Sequence, residues 1–254
     1  REFIEWQIEQ GIGGLVPCGT TGESATMTHD EHEAAIRICV EQVNKRVPVI
    51  AGTGSNHTDY AIALTKFAAE CGADAGLSVT PYYNKTTQRG LIAHYNAIAD
   101  CSDLPIILYN VPSRTGVCLA SDTIAELAKH PNINGIKAAS GNFTLLAETM
   151  AKCGDNLNVW SGNDDQIVPM MSLGAKGVME DDALVILCED RMTFILAQND
   201  KTLAVIREQA AKLAGAPLKV RVREAGDEII QEKNDMVEEL IDHAKNLDVD
   251  IKTL

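Results

Sequence analysis

The chain has 254 residues, of which 45% are hydrophobic and 23% charged, and its formal net charge is −14. This composition fits one large α/β domain, or a domain plus a small appendage, and disfavours overall disorder. The acidic charge argues against binding to the phosphate backbone of nucleic acids, and no stretch is long and apolar enough to span a bilayer. We therefore expect a cytoplasmic protein without a nucleic-acid partner or a membrane attachment.

Residues 1–179 alternate between short apolar runs and amphipathic segments with a helical period. Apolar runs that alternate with helices indicate βαβ units and a parallel sheet covered on both faces. The predicted strands are Gly14–Cys18, Val47–Ala51, Ala75–Val79, Pro105–Tyr109, Ile133–Ile136, Leu157–Trp160 and Ala175–Met179. The predicted helices are 1–10, Asp30–Val43, Asp59–Cys71, Thr87–Asp100 and Ser121–Lys129.

Helix start and end signals support these bounds. Thr28 and Glu31 have the spacing of a capping box, and Gly72, Gly154 and Gly174 fall where helices should end. The repeat of about 25 to 30 residues is typical of a (β/α)8 barrel. Because residues 1–10 have the pattern of a helix end, we predict a TIM barrel that is N-terminally truncated, with its first strand missing.

The pattern changes after residue 179. Residues 180–254 carry 17 acidic and 10 basic side chains, so this segment holds −7 of the net charge of −14. In it we predict two strands, Ala183–Cys188 and Leu218–Val222, and helices over 191–198, 201–213 and Glu232–Asn246. Such a composition shift indicates a boundary. We interpret residues 1–179 as an incomplete TIM-barrel domain and residues 180–254 as a divergent α+β tail, from a fusion or chimera.

The seven cysteines are widely spread, and no two have a C-x-x-C spacing. This favours single thiols in a reducing compartment over a disulfide framework or a zinc site. We therefore predict no metal centre.

Polar groups gather at the carboxyl ends of four predicted strands, where parallel barrels place their reacting groups. Lys137 follows the apolar run 133–136, so a barrel would bury it and desolvation would favour its neutral amine. A neutral amine attacks a ketone to form an imine, which accepts electrons during carbon–carbon bond formation. The alternative is a strand-end lysine whose ammonium group reaches water.

Two other strand ends carry further candidates. Tyr109 would transfer protons near Lys137, or it is simply an amphipathic barrel aromatic. Thr20 and Thr21 lie between glycines, in a loop that either binds a carboxylate or is a tight turn. Arg114 would hold a second carboxylate through paired hydrogen bonds, or it is an exposed loop arginine.

These candidates lie in four motifs: G-T-T-G-E-S, T-P-Y-Y-N, L-Y-N-V-P-S-R-T-G and G-I-K-A-A-S. In order and spacing, the motifs of residues 1–179 resemble the dihydrodipicolinate synthase and N-acetylneuraminate lyase superfamily of class I aldolases. The resemblance implies an aldolase barrel in which a lysine forms a Schiff base with pyruvate, with no metal or organic cofactor. It also implies a homodimer or homotetramer.

The resemblance gives each motif residue a role. Lys137 is the implied Schiff-base lysine. Tyr109, Thr21 and Tyr83 form the implied proton relay, with Tyr83 reaching into the site of a neighbouring subunit. The implied substrate-binding positions are Thr20 and Thr21 for the pyruvate carboxylate, Arg114 for the carboxylate of aspartate semialdehyde, and Gly162 and Met179 in the pyruvate pocket.

Six positions match those at which many family members bind L-lysine as a feedback inhibitor: Ser24, Ala25, His29, His32, Asn56 and Tyr82. Tyr60 stands where the family has an acidic partner for the amine of the inhibitor, so the match is incomplete. His29 and His32 are three residues apart on one predicted helix. A metal pair there lacks a third ligand nearby in sequence, and a solvated helix face is the alternative.

The arginine of the P-S-R-T-G motif and the paired tyrosines favour the synthase branch. We predict a lyase that condenses pyruvate with L-aspartate 4-semialdehyde to 4-hydroxy-tetrahydrodipicolinate, in lysine and diaminopimelate biosynthesis. One alternative is a pyruvate-dependent lyase on a 2-keto sugar acid, of the N-acetylneuraminate lyase type. Another is an inactive chimeric fragment that acts as an interaction module, because the tail weakly resembles the C-terminal region of the DNA polymerase III gamma/tau subunit.

Overall fold

The structure is a computed structural model that describes residues 1–179 and the backbone of two further strands, 184–188 and 220–224. Strands and helices alternate along residues 1–179. The strands are β1 (Ile50–Gly52), β2 (Ala75–Val79), β3 (Ile106–Asn110), β4 (Ile133–Ala138), β5 (Asn158–Ser161) and β6 (Gly177–Val178). The α-helices are α1 (Glu2–Glu9), α2 (His29–Val43), α3 (Thr58–Cys71), α4 (Gln88–Ala99), α5 (Pro112–Thr115), α6 (Ser121–Leu127), α7 (Phe143–Cys153) and α8 (Ile167–Ser172).

Strands β1 to β6 form one parallel sheet in which the spatial order follows the chain order. A parallel bridge between Leu15 and Val49 extends the sheet by one strand position beyond β1. All seven predicted strands of residues 1–179 are thereby located, the first of them only as this bridge. The predicted parallel α/β fold is confirmed.

The sheet curls around an apolar cluster on one face, which we call the inner cluster. It joins side chains from several strands, so these side chains converge across the concave side of the sheet. Its buried members are Ala75, Leu77, Ile107, Tyr109, Val111, Ala139 and Met179, and its partly buried members are Val16, Ile50, Val79 and Trp160.

The opposite face of the sheet packs against the helices, in what we call the helix-facing cluster. Its strand residues Ile106, Leu108, Ile133 and Ile136 are at most 2% exposed. The remaining side chains of this cluster come from helices α3, α4, α6, α7 and α8, from Val159 of β5 and from the connecting segments. Burial of large aliphatic side chains at this level contributes roughly 1.5 to 3 kcal/mol each, so this layer holds the fold together.

Strand β4 contains a bulge at Asn134. Ile106 of β3 pairs with Ile133, whereas Ile107 pairs with Gly135, so Asn134 is an extra residue. Alternate residues of a regular strand face opposite sides of the sheet. The extra residue therefore allows Ile133 and Ile136, three positions apart, to enter the same helix-facing cluster, and it turns Lys137 to the inner face.

The predicted helix-end signals are confirmed in the described residues. The hydroxyl of Thr28 accepts a hydrogen bond from the Glu31 N–H at 3.3 Å, and the Glu31 carboxylate accepts one from the Thr28 N–H at 2.8 Å. Gly72 ends α3 with φ +87°, a backbone conformation that favours glycine. Gly154 directly follows α7, and Gly174 closes the turn after α8.

Two strands of the tail are described by their backbone alone. They are β7 (Leu184–Cys188) and β8 (Val220–Glu224), which pair in parallel as a separate two-stranded sheet. Both strands were predicted from the sequence within two residues. The helices predicted over 191–198, 201–213 and 232–246 lie outside the described residues, and the domain boundary after residue 179 stays a prediction.

No helix among the described residues is long and apolar enough to cross a membrane.

Candidate active site

Strands β3 and β4 place Tyr109 and Lys137 side by side at the carboxyl edge of the sheet, since the two residues are partners in the strand register. The Nζ of Lys137 lies 4.8 Å from the centroid of the Tyr109 ring. Tyr109 is 7% exposed, and Lys137 is partly buried. The predicted pairing of an amine and a phenol on neighbouring strand ends is therefore present in the structure.

Gly162 lies against the aliphatic stem of Lys137. A Cβ atom at Gly162 would lie 2.9 Å from Cε and 3.1 Å from Cγ of the lysine, so a side chain there would displace it. The N–H of Gly162 donates to the carbonyl of Ala138 at 2.9 Å, which keeps the two strand ends together. The absence of a side chain at this position makes room for Lys137.

Met179 is buried in the inner cluster together with Tyr109. Its N–H donates to the carbonyl of Ser161 at 2.9 Å, directly after β5 and β6 pair. The structure thus gathers four of the predicted site residues on one side of the sheet: Lys137, Tyr109, Gly162 and Met179.

The loop with Thr20 and Thr21 is open to solvent, and both threonines are exposed. The carbonyl of Thr20 accepts a hydrogen bond from the Glu23 N–H at 3.0 Å, which makes the loop a tight turn. Among the described residues, no hydrogen bond joins the hydroxyl of Thr21 to Tyr109 or Tyr83. Both readings of this loop therefore remain open, because a tight turn can also bind a carboxylate.

Tyr83 and Arg114 are also exposed. Tyr83 is 92% exposed and has φ +69°, which is unusual for a residue with a side chain. Arg114 lies in the last turn of the short helix α5, directly after β3. The predicted proton relay of Tyr109, Thr21 and Tyr83 is not joined by hydrogen bonds within the described residues, and it stays a prediction.

The two histidines of α2 have different environments. His29 is exposed, with Nε2 3.1 Å from Glu33 and Nδ1 3.3 Å from the hydroxyl of Tyr60. His32 is only 4% exposed, and its Nε2 lies 2.7 Å from the carbonyl oxygen of Gly52. A solvated helix face is therefore wrong for His32. No cluster of three metal-binding side chains occurs in the part of the chain that the structure describes.

Of the other predicted lysine-site positions, Tyr82 lies close to Tyr60. Burial raises the pKa of Tyr60, and the nearby Glu33 and Tyr82 raise it further. Ser24 and Ala25 lie in a 3₁₀ helix that precedes α2, and the carbonyl of Asn56 accepts a hydrogen bond from Asn84 at 3.1 Å. Lysine binding at these positions stays a prediction.

Sequence reasoning missed two residues next to Lys137. Trp160 of β5 is the register partner of Lys137 and belongs to the inner cluster. A Cβ atom on Gly135 would lie 2.3 Å from Cζ3 of Trp160, so the indole occupies the space that a side chain at residue 135 would need. The available signal was a glycine two residues before the lysine and a tryptophan near the end of the next predicted strand.

The fold and the site place the chain among parallel α/β proteins that carry their functional side chains at the carboxyl edge of the sheet. A model of the dihydrodipicolinate synthetase family matches residues 1–222. The chain belongs to this family.

Curated relatives are consistent with this membership. The 4-hydroxy-tetrahydrodipicolinate synthase of Nitratidesulfovibrio vulgaris is 56% identical over 180 residues, which cover 70% of this chain and 62% of the relative. The synthase of Geobacter sulfurreducens is 57% identical over 179 residues, with the same shares. The chain thus spans about 62% of the length of these relatives. The family match continues past the end of the predicted resemblance at residue 179 to residue 222.

Solved structures of dihydrodipicolinate synthases share the fold. The enzyme from Aquifex aeolicus has a TM-score of 0.71 and 39% identity, covering 84% of this chain and 70% of that one. The chloride-inhibited enzyme from Acinetobacter baumannii, complexed with pyruvate, has a TM-score of 0.70 and 43% identity, covering 84% and 72%.

Proposed function

We propose that the chain condenses pyruvate with L-aspartate 4-semialdehyde through an imine on Lys137, the activity of a 4-hydroxy-tetrahydrodipicolinate synthase. The observation that carries the proposal is the position of the Lys137 amine over the ring of Tyr109, beside Gly162. The names of the curated relatives and the pyruvate in a related structure support it.

The amine of Lys137 attacks the ketone carbon of pyruvate, and loss of water gives a protonated imine. A proton then leaves the methyl carbon of pyruvate, and its electron pair moves to the imine nitrogen to form an enamine. The enamine carbon attacks the aldehyde of the second substrate, which regenerates the imine and leaves an alkoxide that takes up a proton. The amino group of the second substrate then adds to the imine carbon and displaces the lysine amine, which closes the ring of the product. The imine nitrogen takes up the electron pair when the methyl proton leaves and returns it when the new carbon–carbon bond forms, so the proposal includes no metal or organic cofactor.

Tyr109 is the nearest proton donor and acceptor to this chemistry in the inner cluster. Its phenol would supply the proton for the departing water and take up the proton from the methyl group, as general acid–base catalysis requires. Thr21 and Tyr83 would connect this phenol to solvent. The distance of 4.8 Å between Nζ and the ring centroid supports the role of Tyr109.

The two carboxylates of the substrates need separate partners. We assign the pyruvate carboxylate to the turn of Thr20 and Thr21 and the carboxylate of the semialdehyde to Arg114, because a guanidinium pairs with a carboxylate through two parallel hydrogen bonds. Gly162 and Met179 line the pyruvate pocket. The exposure of Arg114 suits a group that meets a substrate from solution.

A closed barrel, an oligomeric state and a cellular location are also part of the proposal. We interpret the curled sheet as an arc of a (β/α)8 barrel, since its strand order and inner cluster are those that a closed barrel requires. A homodimer or homotetramer would cover Tyr83, which is 92% exposed in the single chain. A cytoplasmic location fits a biosynthetic reaction on these substrates.

Borohydride trapping tests the imine. Incubation with pyruvate and sodium borohydride should add the mass of a reduced pyruvate adduct to the peptide that contains Lys137. Lys137→Ala should abolish the adduct, whereas the exposed Lys129→Ala should leave it unchanged, because Lys129 is 72% exposed and paired with Glu126. A folded wild-type chain without an adduct would contradict the proposal.

The aldehyde substrate is tested separately. Turnover of pyruvate with L-aspartate 4-semialdehyde should exceed turnover with sugar-derived aldehydes, and Arg114→Ala should raise the KM for the semialdehyde more than that for pyruvate. Activity with a sugar or amino-sugar aldehyde alone would assign the chain to the lyases on 2-keto sugar acids.

A further inference from the structure

Gly135 and Trp160 fit together on the inner face of the sheet. Gly135 is buried, and the space of its absent side chain holds the indole of Trp160, with Cζ3 at 2.3 Å and Cη2 at 3.2 Å from an ideal Cβ position. The nearest backbone atom to that position is the carbonyl oxygen of Asn158, at 3.4 Å. Alanine at residue 135 therefore forces the indole itself to move.

This contact lies directly next to Lys137. Gly135 precedes Lys137 by two residues on the regular part of β4, so both face the inner side. Trp160 pairs with Lys137 in the register and leans toward Gly135, that is, toward the amino end of β4. The indole thus lies on the far side of the lysine from the carboxyl edge at which substrates would enter.

The lysine stem is enclosed on its other sides as well. Gly162 meets the stem at Cγ and Cε, and the ring of Tyr109 lies under the amine. Trp160 and Tyr109 belong to the same inner cluster, in which Tyr109 is buried and Trp160 is partly buried, so packing restricts the aromatic side chains on both sides of the lysine. The indole therefore fills the space beside Gly135, next to the lysine on the side toward the amino end of the sheet.

We propose that Gly135 and Trp160 act together as positioning residues for Lys137: the indole, admitted by the missing side chain at residue 135, closes the floor of the site and directs the amine toward the carboxyl edge. The inference rests on the proposed function. It gives Trp160 a role in the reaction that neither the four motifs nor the strand pattern reveals.

A double-mutant cycle tests this coupling. Gly135→Ala should slow the formation of the borohydride-trapped pyruvate adduct by about 10- to 100-fold, because small displacements of a reacting group have effects of this size. Trp160→Leu should slow it less, by about 3- to 10-fold. The double variant Gly135→Ala/Trp160→Leu should react faster than Gly135→Ala alone, since the smaller side chain accommodates the added methyl group.

A matched glycine on the other face separates positioning from stability. A Cβ atom at Gly76 would lie 3.0 Å from Thr53 Oγ1 and 3.2 Å from Ile106 Cδ1, in the layer that packs against the helices. Gly76→Ala should lower the unfolding midpoint and leave the adduct rate per folded molecule unchanged. An equal loss of adduct rate in Gly76→Ala and Gly135→Ala would contradict the inference.

Fluorescence gives a second readout that does not depend on turnover. The chain has two tryptophans, and Trp6→Phe leaves Trp160 as the single one. Addition of pyruvate should change the emission of the Trp6→Phe variant but not that of Trp6→Phe/Lys137→Ala. An unchanged emission, in a chain that does form the adduct, would show that the indole is not next to the reacting amine.

The outcomes distinguish the two proposals. A folded wild-type chain that traps no adduct contradicts the proposed function and this inference with it. An adduct that forms at the same rate in the wild type, Gly135→Ala and Trp160→Leu contradicts the inference alone. Strictly additive effects in the cycle also contradict it.

Discussion

The two faces of the sheet differ in composition although the same strands form both. On the helix-facing side, Ile106, Leu108 and Ile136 are aliphatic and at most 2% exposed. On the inner side, Tyr109 and Lys137 alternate with these residues and carry the polar groups of the candidate site. One strand therefore contributes to stability and to the proposed chemistry through alternate residues, and mutation of sequence neighbours should separate the two contributions.

The largest difference in adduct formation and in stability is expected between substitutions at Lys137 and at the preceding residue, Ile136. Lys137→Ala should abolish the pyruvate adduct with little change in the unfolding midpoint, because the inner face loses only a partly buried side chain. Ile136→Ala should lower the free energy of unfolding by about 2 to 5 kcal/mol, because it leaves a cavity in the helix-facing cluster. Adduct mass spectrometry and urea unfolding measure the two effects. If Lys137→Ala unfolded as readily as Ile136→Ala, the claim that the two faces contribute separately would be contradicted.

Two buried tyrosines on opposite faces give the next contrast. Tyr109→Phe should slow adduct formation by about 100-fold or more, because it removes the proposed proton donor. Tyr95→Phe removes a hydroxyl that donates to the Ser78 carbonyl at 3.2 Å, and it should cost only about 0.5 to 1.5 kcal/mol of stability. Quenching the trapping reaction at a series of times measures the rate of adduct formation in each variant. Equal adduct rates in the two variants would remove Tyr109 from the mechanism.

The helix side also carries a pH-sensitive group, His94 on α4. Burial lowers the pKa of His94 to about 4, and its Nδ1 lies 2.9 Å from the Thr58 hydroxyl. The unfolded chain takes up a proton as the pH falls through about 6.5, whereas the folded chain does so only near pH 4. Stability should therefore fall between pH 6.5 and 4, by at most about 3 kcal/mol from this group.

Urea midpoints between pH 7 and pH 4.5 check the effect of His94. His94→Gln should flatten the pH dependence, whereas His57→Gln should not, because the side chain of His57 is 71% exposed. An identical pH dependence in His94→Gln and the wild type would show that the acid sensitivity has another origin.

The smallest effect is expected at the start of α2. Thr28→Ala removes the capping hydroxyl and should cost about 1 kcal/mol of stability, with no change in the adduct rate. Thr28→Ser keeps a hydroxyl at the cap and should recover most of the loss. A change in adduct rate in Thr28→Ala would show that α2 is coupled to the inner face. Stability and adduct formation would then not be fully separable by mutation.

Much of the fold follows from local pattern. The apolar runs located the strands because both faces of a parallel sheet exclude water, and Thr28 and Gly72 marked helix ends through hydrogen bonding and backbone conformation. The pairing of Tyr109 and Lys137 also follows, since both stand at the ends of consecutive strands.

Other features depend on packing between elements. The fit of Trp160 against Gly135 requires the register of β4 and β5 and the direction of a side chain, which no local pattern contains. For His32, the alternative of a solvated helix face is wrong, because Ile36, Cys39 and Val43 follow it at helical spacing on the buried side of α2. This spacing is present in the sequence, so the burial of His32 could have been predicted from it.

The bulge at Asn134 makes the orientation of Lys137 sensitive to insertions and deletions in β4. Its carbonyl accepts a hydrogen bond from the Asn158 side chain at 3.1 Å, so the extra residue is anchored to the neighbouring strand. Deletion of this one residue would reverse the orientation of every later side chain of β4 and turn the amine of Lys137 toward the helix-facing cluster. The extra residue, three positions before Lys137, thus decides which face of the sheet receives the amine on which the proposed reaction depends.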